Sequence, residues 1–251
     1  MISLRRLSHL ARRLRQELRW GDTKFPPRED EFLWALRYIN AGVLDEGNMG
    51  LFAYCIDHLP CDAPVVEIGS FAGLSLNYII HLLRRSNRSN DVFSVDGWFG
   101  GLTERRFDKP EFLDGTPIRT ADYRDHVVGS FRRNVELFSA DRLPHHIATT
   151  SDKFFEQWRA EATVRDFFDR SVRLGGPISF AYIDGDHSYE QTMRDFENVD
   201  RHLVCGGFVL FDDSEDGGHW GSSAAAKTAA SRGDYLLVGK NPNYLIQKKS
   251  D

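Results

Sequence analysis

The chain has 251 residues, of which 41% are hydrophobic and 27% charged. This is the composition of an ordinary globular protein, and it excludes collagen-like, low-complexity and disordered classes. A formal net charge of −5 disfavours broad nucleic-acid binding, which needs a basic surface. No apolar run reaches the roughly 18 residues of a transmembrane helix. The three cysteines (Cys55, Cys61 and Cys205) form no CxxC pair, so we expect reduced thiols and a cytoplasmic protein.

The first predicted element is a basic amphipathic helix over residues 1–20, in which leucines recur at three- and four-residue spacing among six arginines. We expect it to pack on its own domain or on a second subunit, which favours a homodimer. Contact with a membrane surface and an organelle presequence are the two other interpretations. After Pro26 and Pro27, helices are predicted from Phe32 to about Gly42 and from about Met49 to Leu59.

From Val65 onwards, predicted strands alternate with predicted helices. The strands are Val65–Ile68, Val92–Asp96, His146–Thr149, Ile178–Asp184 and Gly206–Asp213, followed by a hairpin that joins Tyr235–Gly239 to Tyr244–Gln247. The helices are Leu74–Leu83, Val127–Leu137, Phe154–Phe168, Ser188–Leu203 and Ser222–Ser231. This alternation predicts an α/β fold with a mainly parallel, seven-stranded sheet that ends in an antiparallel hairpin. The predicted organisation is a helical extension over residues 1–44 and a single domain over residues 45–251.

Ligands of such sheets bind beyond the carboxyl ends of the strands. The first strand is followed by E-I-G-S-F-A-G-L-S, Glu67 to Ser75, in which Gly69 and Gly73 allow close approach of a ligand to the backbone. The spacing differs from the GxGxxG of dinucleotide folds, and the Glu67 carboxylate would repel a pyrophosphate. The motif therefore favours a cationic or hydroxyl-rich ligand, with a tight turn that binds nothing as the alternative.

The second strand ends at Asp96, whose carboxylate could accept hydrogen bonds from both hydroxyls of a ribose. The alternative is a cap of a turn or helix. Trp98 could cover the face of an adenine or simply pack beneath a loop. After the third strand, Ser151 could reach an adenine amino group or cap the next helix. The preceding doublet His145-His146 is interpreted as structural, because adjacent side chains of a strand point to opposite faces.

The densest group of acids follows the fourth and fifth strands, as Asp184-Gly185-Asp186-His187 and Asp212-Asp213. Neighbouring strands lie about 4.8 Å apart, so up to four carboxylates would converge and repel one another. A hard divalent cation such as Mg²⁺ would relieve this repulsion. In the alternative, Asp186 caps the following helix and the other acids belong to loops.

Taken together, five segments resemble class I S-adenosylmethionine-dependent methyltransferases. They are E-I-G-S-F-A-G-L-S, V-D-G-W, T-S-D-K-F-F, Y-I-D-G-D-H-S-Y-E-Q-T and C-G-G-F-V-L-F-D-D. More narrowly, the chain resembles metal-dependent sugar O-methyltransferases of the macrocin and mycinamicin type, which share the D-G-D-H-S-Y motif. The resemblance covers roughly residues 45–215 and implies a Rossmann-like methyltransferase domain.

The resemblance also implies roles for individual residues. The methionine part of S-adenosylmethionine would be held by Glu67, Gly69, Ser70, Gly73 and Ser75. Asp96 would bind the ribose, Ser151 would lie near the adenine, and Asp184, Asp212 and Asp213 would bind Mg²⁺. Either Asp186 or His187 would be the catalytic base, and we favour His187 because imidazole is the better proton acceptor at neutral pH. Residues 97–121, with their aromatic and arginine side chains, would form a substrate lid.

The sequence thus predicts a Mg²⁺-dependent O-methyltransferase that acts on a sugar hydroxyl of a glycoside or oligosaccharide. A catechol-type or other small-molecule O-methyltransferase is the main alternative. An NAD-dependent oxidoreductase is disfavoured by Glu67 and by the missing third glycine. A non-catalytic nucleoside-binding protein is disfavoured because a repulsive cluster of acids without a metal costs stability.

Overall fold

The computed structural model describes residues 25, 26, 30–98 and 120–249. The predicted N-terminal helix and most of the predicted lid lie outside these residues. No helix in the described part of the chain has the length and apolar character needed to cross a membrane.

Seven α-helices and nine β-strands make up the described chain. The helices are α1 (Glu31–Ile39), α2 (Glu46–Asp57), α3 (Leu74–Arg85), α4 (Thr120–Phe138), α5 (Ser151–Arg159), α6 (Tyr189–Asp200) and α7 (Gly221–Ala230). The strands are β1 (Val65–Ile68), β2 (Val92–Val95), β3 (His145–Ile147), β4 (Thr163–Arg165), β5 (Ser171–Arg173), β6 (Ile178–Ile183), β7 (Leu203–Phe211), β8 (Tyr235–Lys240) and β9 (Tyr244–Lys248). Side-chain caps start several helices, because a short polar side chain satisfies a free amide of the first turn. The capping side chains are those of Asp30, Asp45, Thr150 and Ser188.

Seven of these strands form one sheet in the order β3-β2-β1-β6-β7-β9-β8. The first five strands of this order run parallel to one another. β9 lies antiparallel between β7 and β8. The predicted α/β fold and its C-terminal antiparallel hairpin are therefore confirmed. Because the five parallel strands share a direction, their carboxyl ends meet at one edge of the sheet, and the residues that follow them meet there too.

The sheet is covered on both faces, as its strand sequences require. Phe180 and Tyr182 of β6 pack into the layer that contains α1, α2, α3 and α4. Ala181 and Ile183, the alternate residues, pack into the opposite layer with α5, α6 and α7. Successive side chains of a strand point to opposite faces of the sheet, and a central parallel strand has helices on both faces. Both faces of β6 are therefore apolar.

One predicted helix is shorter than expected. The helix predicted over Phe154–Phe168 ends at Arg159, and β4 and β5 follow as a separate antiparallel pair. The apolar face of the observed helix ends at Trp158, whose side chain is fully buried. Phe167 instead packs edge-on against Phe131 of α4. The aromatic residues at the end of the predicted helix therefore pack against α4, on the opposite side of the sheet from those at its start.

Candidate functional site

The turn after β1 is shaped by the strand beside it. A Cβ on Gly69, which has φ +85, would lie 1.8 Å from the carbonyl oxygen of Asp184. Gly73, with φ +84, precedes the first residue of α3. Both positions use the left-handed region that favours glycine. Packing of β1 against β6 alone is therefore enough to require Gly69, whether or not a ligand is bound.

Asp96 holds this turn from the end of β2. Its Oδ2 accepts hydrogen bonds from the backbone N–H groups of Ser70, at 3.0 Å, and Phe71, at 2.8 Å. Its Oδ1 accepts from the N–H of Trp98 at 2.6 Å. Burial raises the pKa of Asp96, although these amides act in the opposite direction. The carboxylate thus fastens the glycine turn to the neighbouring strand, and it remains partly accessible at the edge of the sheet.

Glu67, two residues before Gly69, lacks the hydrogen-bond donors that Asp96 has. Its side chain is fully buried, and neither carboxylate oxygen has a hydrogen-bond partner; the hydroxyl of Ser70 is likewise buried and unpartnered. Burial raises the pKa of Glu67 to about 8, against the lowering effect of the nearby Ser75 and Ser70 hydroxyls. A buried carboxyl group without donors is costly, which points to a ligand that brings a donor or a positive charge.

The histidine doublet is structural, as predicted. His146 is fully buried, and its Nδ1 lies 2.8 Å from the Ser94 hydroxyl on the adjacent strand. Burial lowers the pKa of His146 to about 3, so its ring is neutral at physiological pH. His145 points the other way, and its Nδ1 lies 3.3 Å from Asp166.

Trp98 is buried rather than open to a cleft. Its ring centroid lies 4.6 Å from that of His146 and 5.3 Å from that of Phe131. Its indole N–H donates to the carbonyl oxygen of Phe71 at 2.9 Å. This is the packing alternative for Trp98, and it further anchors the glycine turn.

The acids after β6 and β7 do come together. The two strands are paired in register up to Ile183 and Phe211, so Asp184 and Asp212 follow side by side. Burial, with the charges of Asp184 and Asp213, raises the pKa of Asp212 well above its usual value. Such a rise in pKa is expected where carboxylates lie close together, because their negative charges repel.

His187 lies among these acids. Its Nε2 is 3.5 Å from Asp184 Oδ1, and its Nδ1 is 3.4 Å from Asp213 Oδ2. Within residues 30–98 and 120–249, no group of three or more His, Cys, Asp or Glu side chains has the arrangement needed to hold a metal ion. The imidazole lies between Asp184 and Asp213, within 3.5 Å of each.

Asp186 lies at the start of α6. Its Oδ1 accepts from the N–H of Ser188 at 2.8 Å, and Ser188 is the N-cap of the helix. On the other side of the site, the ring of Trp220 meets that of His187 edge-on at 5.1 Å. The N–H of Ser222 donates to the His187 carbonyl at 3.1 Å, which ties the Trp220 segment to the D-G-D-H turn.

Two asparagines that the sequence analysis missed hold Asp212. Asn48 of α2 and Asn243 of the β8–β9 turn both donate a side-chain N–H to Asp212 Oδ1, the latter at 3.0 Å. Asn243 also donates to the side-chain oxygen of Asn48 at 3.0 Å. Asn48 lies 164 residues before Asp212, and the local sequence carries no signal for such a contact.

Ser151 begins α5, directly beyond β3, at the same edge of the sheet. It does not cap the helix, because the Thr150 side chain takes that position and accepts from the N–H of Lys153. Instead, the side-chain amide of Gln191 donates to the Ser151 hydroxyl oxygen at 3.2 Å. The predicted residues thus form two groups, one around the glycine turn and one after β6 and β7, with Ser151 on a third element.

Comparison with known proteins agrees with this architecture. A family model described as "Methyltransferase domain" matches residues 66–214, more than half of the chain. An uncharacterized protein of Acanthamoeba polyphaga mimivirus is 24% identical over 155 residues, which cover 62% of this chain and 53% of that relative. The chain therefore matches about half the length of this curated relative.

Solved structures share the fold, and two O-methyltransferases are examples. The O-methyltransferase from Bacillus cereus in complex with SAH has a TM-score of 0.55 at 12% identity, covering 89% of this chain and 92% of that chain. The O-methyltransferase TomG from Streptomyces achromogenes, involved in tomaymycin synthesis and bound to SAM, has a TM-score of 0.50 at 14% identity. That match covers 93% of this chain and 96% of that chain.

The raised pKa of Glu67 predicts a pH-dependent stability. The unfolded chain ionises this carboxyl near pH 4.5, whereas the folded chain keeps it protonated up to about pH 8. Without ligand, folding stability should therefore fall as pH rises through this window. The neutral variant Glu67→Gln should gain stability over the parent, by roughly 2–5 kcal/mol at pH 8 and little at pH 4.5. Urea unfolding at several pH values measures the difference.

The matched control is Glu197→Gln, which changes an exposed carboxylate on α6. Its free energy of unfolding should follow that of the parent at every pH. A constant difference between Glu67→Gln and the parent across the window would contradict the assigned protonation state.

Proposed function

We propose that this chain, which belongs to the methyltransferase-domain family, is an S-adenosylmethionine-dependent O-methyltransferase that uses Mg²⁺ to methylate a sugar hydroxyl of a glycoside or oligosaccharide. The observation that carries the proposal is the Glu67 carboxyl group, buried beside the glycine turn without a hydrogen-bond donor. S-adenosylmethionine brings an ammonium group and a sulfonium, whereas the pyrophosphate of NAD would be repelled there.

The cofactor would lie along the carboxyl edge of the sheet. Glu67, with the hydroxyls of Ser70 and Ser75, would bind the methionine ammonium, and Gly69 and Gly73 keep the backbone free of side chains beside it. Asp96 uses Oδ2 on two backbone amides and Oδ1 on one, so Oδ1 retains a second lone pair for a ribose hydroxyl. Ser151 would face the adenine. Trp98 is left out of this set, because its ring packs on His146.

Asp184, Asp212 and Asp213 would hold the Mg²⁺. Three carboxylates on adjacent strand ends supply the oxygen donors that this ion prefers, and their repulsion is already expressed in the raised pKa of Asp212. When bound, the ion would act as a Lewis acid and lower the pKa of the acceptor hydroxyl. The donor chemistry therefore fits, and the side chains must draw closer than they are here to form one coordination group.

The residues of the chain would mainly align the acceptor and remove its proton. The methyl donor is already activated, so alignment of the acceptor oxygen is the main contribution of the protein. A ring nitrogen of His187 would take the hydroxyl proton, because imidazole is a better proton acceptor than a carboxylate at neutral pH. The partly exposed indole of Trp220 beside His187 offers an apolar face for the C–H side of a sugar ring.

Binding of the cofactor is the first test. Calorimetric titration should show micromolar binding of S-adenosylhomocysteine and no heat with NAD. Glu67→Gln should weaken binding at least about tenfold, because a charge-assisted hydrogen bond is lost, while Glu197→Gln should leave it unchanged. Binding of NAD without S-adenosylhomocysteine would contradict the proposed cofactor.

The metal is tested separately by methylation of a panel of glycosides, with catechols as the competing acceptors. EDTA should abolish the methylation, and added Mg²⁺ should restore it. Asp184→Ala, Asp212→Ala and Asp213→Ala should each lose activity while still binding S-adenosylhomocysteine. Asp216→Ala, which changes an exposed acid of the following loop, is the control and should stay active. Full activity in EDTA would exclude the metal role.

The identity of the base follows from a pair of variants. His187→Gln should lower kcat by about 10²–10⁴, the usual contribution of a general base, with little effect on S-adenosylhomocysteine binding. Asp186→Asn should cost less than about tenfold, because its main contact is with a backbone amide. Single-turnover rates measure both, and the reverse order of effects would assign the base to Asp186.

A further inference from the structure

Two buried asparagines occupy a single oxygen of Asp212. Asn48 of α2 is 0% exposed and Asn243 of the β8–β9 turn is 2% exposed, and both donate a side-chain N–H to Oδ1. A carboxylate oxygen has about two lone-pair sites, so the two amides use the hydrogen-bonding capacity of Oδ1. No N–H group in the described part of the chain donates to Oδ2. The carboxylate therefore keeps one oxygen for a ligand.

A backbone amide fixes the orientation of both side chains. The N–H of Ser214 can only donate, and it donates to Asn243 Oδ1 at 2.8 Å, so the NH₂ group of Asn243 must face Asp212. That NH₂ group also donates to Asn48 Oδ1 at 3.0 Å. The NH₂ group of Asn48 is thereby turned to Asp212 and to the Tyr182 hydroxyl oxygen, which lies at 3.3 Å. Neither amide can flip without leaving buried donors facing one another.

A purely structural role explains this arrangement less well. A fold that only had to satisfy a buried acid could place donors on both of its oxygens. The glycine turn does so for Asp96, whose Oδ1 and Oδ2 both accept N–H groups. At Asp212 both amides converge on one oxygen, although Asn48 and Asn243 are 195 residues apart in the chain. The network therefore distinguishes between the two oxygens of this acid.

We propose that Asn48 and Asn243 are positioning residues that restrict Asp212 to one metal-binding oxygen and thereby select Mg²⁺ over Ca²⁺. Ca²⁺ accepts a large, flexible coordination shell in which one carboxylate often supplies both oxygens, whereas Mg²⁺ demands a small octahedral shell and keeps several waters. A carboxylate that offers one oxygen therefore costs Ca²⁺ a ligand and suits Mg²⁺. This inference rests on the proposed function, since it presumes a divalent cation at Asp184, Asp212 and Asp213.

The test is calorimetric titration of MgCl₂ and of CaCl₂ into the full chain in the presence of S-adenosylhomocysteine. The parent should bind Mg²⁺ more tightly than Ca²⁺. In Asn48→Ala, one lone pair of Asp212 Oδ1 becomes free for a second bond to the ion. The ratio of the Mg²⁺ affinity to the Ca²⁺ affinity should then fall at least about fivefold, because Ca²⁺ gains the additional ligand.

Asn243→Ala is the second variant, in case Asn48→Ala does not fold, and the affinity ratio should fall in it as well. A general loosening of the fold would lower the affinity for both ions, whereas a freed oxygen favours Ca²⁺. The matched control is Asn90→Ala, which removes an equally buried amide at the opposite edge of the sheet. That amide donates to the carbonyl oxygens of Cys61 and Ala63, ahead of β1, so its loss should leave the affinity ratio of the parent unchanged.

The outcomes separate this inference from the proposed function. If the parent binds Mg²⁺ but prefers Ca²⁺, or if Asn48→Ala and Asn243→Ala keep the affinity ratio of the parent, the inference is wrong and the metal assignment stands. An equal fall of the ratio in Asn90→Ala would also contradict the inference. If the parent binds neither ion, both the inference and the metal assignment are wrong.

Discussion

Parallel strands that share a direction bring their following residues to one edge of the sheet, and here these residues are acids. Glu67 lies near the end of β1, Asp96 follows β2, Asp184 follows β6 and Asp212 follows β7. Like charges in a partly desolvated space repel one another and favour protonation. The polar contacts that reach these acids from distant elements can be understood as responses to that crowding.

The protein uses two kinds of response within the described residues. Some carboxylates are given neutral donors, as Asp96 is by the amides of the glycine turn and Asp212 by Asn48 and Asn243. Others keep open oxygens, as Glu67 and Asp195 do. Donors fixed by the fold make an acid part of the scaffold. An acid that the fold leaves open keeps its oxygens available to a ligand, as proposed above for Glu67.

Much of the fold and of the acidic edge could be predicted, because the sequence patterns that indicate them are local. Alternating apolar segments predicted the parallel sheet, and the position of acids after strands predicted which residues meet. The predicted length of α5 was wrong, because Phe167 and Phe168 continue its apolar pattern in the sequence but pack against Phe131 of α4. Asn48, Asn243 and the Ser151 network were not foreseen. Their contacts join segments far apart in the chain, and no local pattern encodes them.

The position of β9 has a consequence for biosynthesis. This strand is made after β7 and β8, yet it lies between them. A nascent chain that has emerged only as far as β8 therefore has no partner to join that strand to the sheet. The same chain lacks Asn243, so the carboxylate of Asp212 has only one of its two amide donors. The donors of Asp212 are thus complete only after Asn243 has been made, later than the amides of the glycine turn that hold Asp96.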